Sequence, residues 1–271
     1  MYRSAVTYWP GMGEARVALT LDGAVAHVAL ARPDARNALD GPTARELRES
    51  VRAASARDDV RVIVLAGEGA VFCAGADIAW MKAAAHFSRE ESLADAGALR
   101  DLFETVDTSP KPVVARVQGA ALGGGAGLVA AADIAVVAED AQFAFGEVRL
   151  GLVPALISPY VIRKIGVSAA RELFLTGERF SAKRAQTLGL VHRVVPADQL
   201  DAAVAERVRE LLQGAPGAIA AAKNLIRSVA GRYGEEVREL TIHAIAERRA
   251  SPEGQEGLGA FLEKRKPRWT R

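Results

Sequence analysis

Residues 112–131 read PVVARVQGAALGGGAGLVAA. Pro112–Val117 is short, apolar and rich in β-branched residues, the pattern of a strand buried on both faces. The glycines that follow stand where that strand gives way to a helix. Glycine in a helix costs about 1 kcal/mol relative to alanine, so Gly123-Gly124-Gly125 at a helix start needs a reason. One reason is close approach: small residues let a ligand reach the backbone, and the free N–H groups of a first helical turn favour negative charge.

A second stretch of the same kind lies earlier. Gly67-Glu68-Gly69-Ala70-Val71-Phe72-Cys73-Ala74-Gly75-Ala76-Asp77 follows the apolar run Val60–Ala66 and also leads into a helical segment. Two such turns converging on one oxygen would make an oxyanion hole from backbone donors alone.

Further out, Arg16–Leu21 and Val25–Leu30 read as a hairpin turned at Asp22-Gly23. A helix is expected from about Pro42, with Asp40 near its N-cap and Leu47, Val51 and Ala54 on one face. Leu99, Leu102, Phe103 and Val106 have helical spacing. Ile134–Ala138 and Val191–Val195 are two more buried strands. Strands alternating with helices predict an α/β architecture. After Val195 the pattern becomes helical throughout, over about 200–211, 216–229, 233–248 and 252–264. The expected division is a core over 1–198 and a helical, oligomer-forming region over 199–271.

Composition narrows the function. Half of the 271 residues are apolar, and 35 basic residues against 33 acidic ones leave a net charge of +2. A nucleic-acid binder would show a basic stripe; the chain has only the short tail Lys264, Arg265, Lys266, Arg268. No run is long enough to span a membrane. Met1–Gly13 lacks the apolar segment of a secretion signal. The lone cysteine, Cys73, forms no internal disulfide and suits a reducing compartment, so a cytoplasmic protein is expected. The chain has no GxGxxG at a strand-to-helix turn, no GxxxxGK[ST] and no GxSxG. His27, His86, His192 and His243 are scattered and read as packing or surface residues, with no metal site.

Several motifs together resemble the crotonase (enoyl-CoA hydratase/isomerase) superfamily. They include Arg32–Leu39, Phe72–Ile78, Val117–Gly125, Ala132-Asp133-Ile134, Gln142–Glu147, Leu175-Thr176-Gly177, Gly189-Leu190-Val191 and the ending Glu256–Arg265. The resemblance runs from about residue 16 to the C-terminus, and its specificity lies in the order and spacing of the set. It implies a ClpP-like spiral of ββα units with C-terminal helices that mediate trimers or dimers of trimers. It implies an acyl-CoA substrate, with no further cofactor, whose thioester carbonyl lies between two backbone N–H groups. By position these are the amides of Ala76 and Gly124. Arg36, Ala38, Ala74, Asp77, Ile78 and Lys264 fall at coenzyme A positions, Lys264 across a subunit boundary. Asp77 is equally well placed as a helix cap, and Arg36 and Lys264 as solvated surface charges.

Hydration of a conjugated thioester needs a base for water and an acid for the α carbon. The hydratases that this chain resembles place two glutamates there. One position is Glu147; the other is Gly127. The look of 76–82, 125–129 and 147–160 is similar to the bacterial methylglutaconyl-CoA hydratase branch. The usual glycine-rich stretch after Pro154 is replaced by Ala155-Leu156-Ile157-Ser158, which predicts an altered acyl pocket. The expected reaction is addition of water to a short or branched enoyl-CoA, with Glu147 as acid and base. A Δ3,Δ2-enoyl-CoA isomerase using one glutamate and a non-catalytic CoA-binding paralogue are the alternatives. A glutamate returned to position 127 is expected to favour small linear enoyl-CoAs if the variant folds.

Overall fold

The computed structural model describes residues 15–270; the expectation for Met1–Gly13 lies outside them. The chain opens with a hairpin, β1 (Val17–Asp22) and β2 (Val25–Leu30), paired antiparallel through Asp22↔Val25 and turned at Gly23, whose φ is +55°. Helix α1 (Gly41–Ala56) starts at Asp40, whose carboxylate accepts the Thr43 N–H as an N-cap. Then follow β3 (Val62–Gly67), α2 (Ile78–Ala84), α3 (Arg89–Thr108) and β4 (Val113–Val117). Next come β5 (Ala120–Leu122), α4 (Gly124–Ala131), β6 (Ile134–Ala138) and β7 (Gln142–Ala144). After these lie α5 (Ser158–Thr176), β8 (Arg179–Ser181), α6 (Ala182–Thr187) and β9 (Arg193–Val195). The last helices are α7 (Leu200–Gln213), α8 (Pro216–Val229), α9 (Glu235–Ala250) and α10 (Pro252–Leu262).

Six strands form one sheet in the order β1-β2-β3-β4-β6-β9, parallel from β2 onward. Its central strands read as unbroken apolar runs because both faces are covered. Ile63, Leu65, Val113, Ala115, Ala135 and Val137 point into the main core with α1, α3, α4 and α5. Val62, Val64, Val114, Val136 and Ala138 point the other way, against Leu200, Ala203, Val204 and Val208 of α7. The helix that opens the expected 199–271 region is thus packed into the core.

The second sheet, β5-β7-β8, is made of strands only three residues long. An isolated parallel bridge, Cys73↔Ala121, extends it by one segment. Each long strand is therefore followed by a short crosswise one and then a helix: β3, Cys73 and α2; β4, β5 and α4; β6, β7 and α5. This repeat is the expected ββα spiral. It stacks the starts of α2 and α4 and the end of β7 on one side of the molecule.

Candidate active site

Glu147 follows β7 through buried Phe145 and Gly146, and it opens a single 3-10 turn, Glu147–Leu150. The turn is held from several sides. The Gly151 N–H donates to Val148 O (3.2 Å), and the Leu152 N–H donates to Glu147 O (3.0 Å). Arg149 Nε donates to Thr176 O at the end of α5. Phe145 packs edge-on against Phe174, ring centroids 5.1 Å apart, and lies 5.6 Å from Phe180. The strand end carrying Glu147 is thus anchored before any ligand arrives.

The carboxylate points at the α4 turn. A Cβ at Gly123 would lie 3.3 Å from Glu147 Oε1. Gly123 has φ +50° and ψ −116°, a conformation that side chains rarely adopt. Glu147 Oε2 is buried with no hydrogen-bond partner among the described residues. Such a group costs about 1–3 kcal/mol and asks for an explanation beyond packing. Burial raises the Glu147 pKa above the ordinary carboxylate range, a backbone hydrogen bond offsetting part of the effect. That shift suits a group that must both take and give a proton near neutrality.

The two candidate amides lie in adjoining segments. Ala76 forms a parallel bridge with Leu39: Leu39 N–H donates to Gly75 O (2.7 Å) and Asp77 N–H donates to Leu39 O (2.9 Å). In that pattern the N–H of Ala76 itself points away from Leu39. A Cβ at Gly75 would lie 2.9 Å from Leu122 O and 3.9 Å from Gly123 N, so the two glycine-rich turns touch there. Ala76 and Gly124 each follow that contact by one residue. Gly124 opens α4, so its N–H belongs to the unpaired first turn. A Cβ on it would stand 3.1 Å from Leu39 Cδ1, which leaves backbone as the only group this position presents.

The structure also places the residues expected to hold coenzyme A. Residues 36–39 run beside 74–77, joined by Ala74 N–H to Arg36 O (3.0 Å) and the Leu39 bonds above. Arg36 is exposed with φ +51°, Ala38 is buried, Ala74 is half-buried and Ile78 is 73% exposed. Asp77 is engaged on both oxygens. Oδ1 accepts the Ala79 and Trp80 N–H groups as the cap of α2, and Oδ2 pairs with Arg32 at 3.1 Å. Those donors lower its pKa. Its side chain therefore fixes the backbone that carries the Ala76 N–H. Lys264 is exposed just past α10, which packs on α8 and α9. The protomer does not join it to the 36–39 and 74–77 segments by any hydrogen bond or ion pair among the described residues.

Sequence reasoning missed two kinds of residue. Asn37 is fully buried with φ +56°; it accepts the Arg32 N–H and donates to Glu68 O and Val71 O. It clamps the loop before α1 to the first glycine-rich turn. The apolar packing beside α4 is the other kind: Leu39, Phe103 and Tyr160 lie in the main core with Ile157, the Phe103 and Tyr160 rings 6.1 Å apart. The burial of Phe103 was legible from its helical spacing, and Ile157 from the altered stretch after Pro154; Leu39 and Tyr160 gave no such signal. His27, His86, His192 and His243 are all solvent-exposed. His192 Nδ1 accepts the Ala135 N–H (3.0 Å), and partial desolvation pushes its pKa down to about 4.

The condition that a variant with glutamate at position 127 must fold meets an obstacle in the structure. A Cβ at Gly127 would overlap Ile157 Cγ2 and lie 2.9 Å from Ile157 Cβ and 3.0 Å from Phe103 Cε1. A glutamate at position 127 would force Ile157 or Phe103 to shift, because the room for its side chain is filled.

A family model described as enoyl-CoA hydratase/isomerase matches residues 20–271. Carnitinyl-CoA dehydratase of Proteus mirabilis is 34% identical over 259 residues, covering 93% of this chain and 97% of that protein. An enoyl-CoA hydratase of Shewanella pealeana has a solved structure that matches with a TM-score of 0.92 at 41% identity, covering 94% of this chain and 96% of that one. AtuE of Pseudomonas aeruginosa matches with a TM-score of 0.91 at 38% identity, covering 95% and 100%. By its ββα spiral and this likeness over nearly its whole length, the chain belongs to the enoyl-CoA hydratase/isomerase family of the crotonase superfamily.

Proposed function

We propose that this protein adds water across the conjugated double bond of an enoyl-CoA. The observation that carries the reading is Glu147: a buried carboxylate with one unpartnered oxygen, facing the glycine turn that opens α4. The thioester oxygen would accept hydrogen bonds from the Ala76 and Gly124 N–H groups. Glu147 takes a proton from water as the water oxygen bonds to the β carbon. The π electrons move onto the thioester oxygen, giving an enolate that the two amides stabilise. Glu147 then returns the proton to the α carbon, the enolate electrons form the new C–H bond, and the carboxylate is regenerated. One such backbone donor contributes about 100- to 1000-fold in rate. The proton moves only between water, carbon and carboxyl, so the substrate is the sole coenzyme A species that the scheme needs.

For the acyl group we propose a short or branched, methylglutaconyl-like chain. The support is the apolar packing of Leu39, Phe103, Ile157 and Tyr160 beside α4 in place of a glycine-rich turn. Arg36, Ala38, Ala74 and Ile78 would line the coenzyme A channel, Asp77 would hold its shape, and Lys264 would reach a neighbouring subunit's ligand. Exposed apolar residues on α8–α10, among them Ile226, Phe261 (80%) and Leu262 (78%), support assembly into trimers or dimers of trimers. The fully buried Cys73, its thiol pushed up to about 12 by burial, supports a cytoplasmic setting only in that it is no disulfide partner. Single-carboxyl chemistry also suits a Δ3,Δ2-enoyl-CoA isomerase, the second reading.

A panel of crotonyl-, tiglyl- and 3-methylglutaconyl-CoA tests the proposal by loss of the conjugated thioester absorbance. Hydration of at least one is expected. Double-bond migration without water addition would replace hydration by isomerisation, and acyl-CoA binding without turnover would leave only a binding protein.

A further inference from the structure

We infer that Ile157 penalises any side chain at position 127 and so keeps Glu147, among the described residues, the only acid facing the α4 turn. The inference rests on the reading of Glu147 as acid and base.

The argument is one of space. Residues 124 and 127 are three apart on α4 and share a face. Phe103 lies against both, 3.8 Å from a Cβ at 124 and 3.0 Å from one at 127. Ile157 covers the second position with Cγ2 and also with its Cβ, at 2.9 Å. A rotamer change moves the γ carbon but leaves the Cβ where the backbone holds it. That backbone is fixed, because Ile157 is the N-cap of α5 and its carbonyl accepts the Tyr160 (3.1 Å) and Val161 (3.0 Å) N–H groups. Ile157 and Phe103 are only 3% and 2% exposed, so neither can move aside into solvent. The missing carboxylate at 127 and the Ala155–Ser158 stretch are therefore one departure seen at two places in the chain.

The test is a graded cycle read by thermal unfolding. Gly127→Ala is made in the wild type and in Ile157→Val, Ile157→Ala and Ile157→Gly backgrounds. Valine keeps both offending carbons, alanine keeps only the Cβ, and glycine keeps neither. Gly127→Ala should lower Tm by about 2–10 °C in the wild type, equally in the valine background, less with alanine and least with glycine. An equal drop in all four backgrounds overturns the inference. A functional readout accompanies it. With crotonyl-CoA, wild-type kcat/KM should rise through one carboxyl ionisation and then stay level. Gly127→Glu with Ile157→Gly should add a second ionisation, turning the profile bell-shaped. A bell with two carboxyl ionisations in the wild type, or a stable double variant with only one, overturns the inference. Failure of the wild type to turn over any enoyl-CoA refutes the function proposed above, while the thermal cycle still decides the packing.

Discussion

Glu147→Gln is the change that most directly separates chemistry from binding. The amide keeps the size of the side chain and leaves the 3-10 turn intact, since that turn is held by the Glu147 backbone carbonyl, Arg149 and Phe145. What it removes is the proton carrier. A general acid or base contributes about 100- to 10,000-fold. With glycine at position 127 in place of a second acid, Glu147 holds both roles, so the loss in kcat should reach or exceed about 10,000-fold, about 5.5 kcal/mol at 1.36 kcal/mol per tenfold. Affinity for a saturated acyl-CoA should change little if, as proposed, backbone amides hold the thioester. Stability gives an independent check. Burial raises the folded-state pKa of Glu147, so the folded protein holds this proton where the unfolded chain has released it. The stability due to that proton is full below the unfolded pKa and is lost as pH rises through the folded pKa. Glutamine does not ionise, so the Tm of the variant should gain on the wild type across that window and level above it. Hydration rates with crotonyl-CoA, calorimetric affinity for butyryl-CoA and Tm against pH are the three measurements. Retention of more than about a tenth of the wild-type rate, well short of the loss expected for an acid or base, would show that another group moves the protons.

Gly124→Val should lower Tm, since even its Cβ would stand 3.1 Å from Leu39 Cδ1, and lose about 2.7–4 kcal/mol of transition-state stabilisation if the donor is displaced; near-normal kinetics would remove Gly124 from the site. Asp77→Ala strips the cap of α2 and the Arg32 pairing. It should cost about 0.5–2 kcal/mol of stability and lower kcat through the Ala76 amide, whereas Asp77→Asn, which retains the cap, should recover much of the Tm. The assembly should sediment as a trimer or a multiple of it. A stable monomer at micromolar concentration would refute that and the reach of Lys264 to a neighbouring ligand.

The sequence by itself determined the local features of this protein. Ile134–Ala138 and the hairpin around Gly23 were readable because burial on both faces, or a tight turn, leaves its mark on consecutive residues. Gly123–Gly125 was readable because glycine at a helix start is costly unless something needs the space. Glu147 was legible only through a resemblance between ordered motifs. Tertiary structure decided the rest. The three-residue strands β5, β7 and β8 are too short to carry a period, and they exist because neighbouring turns of the spiral supply their partners. The pairing of Asp77 with Arg32, alongside its cap on α2, joins residues far apart in the chain and leaves no local mark. The missing glutamate at position 127 was legible but its cause was not, since glycine records that a side chain is absent and not why. The reason is Ile157, distant along the chain but in contact across the core, and close packing penalises a second occupant there.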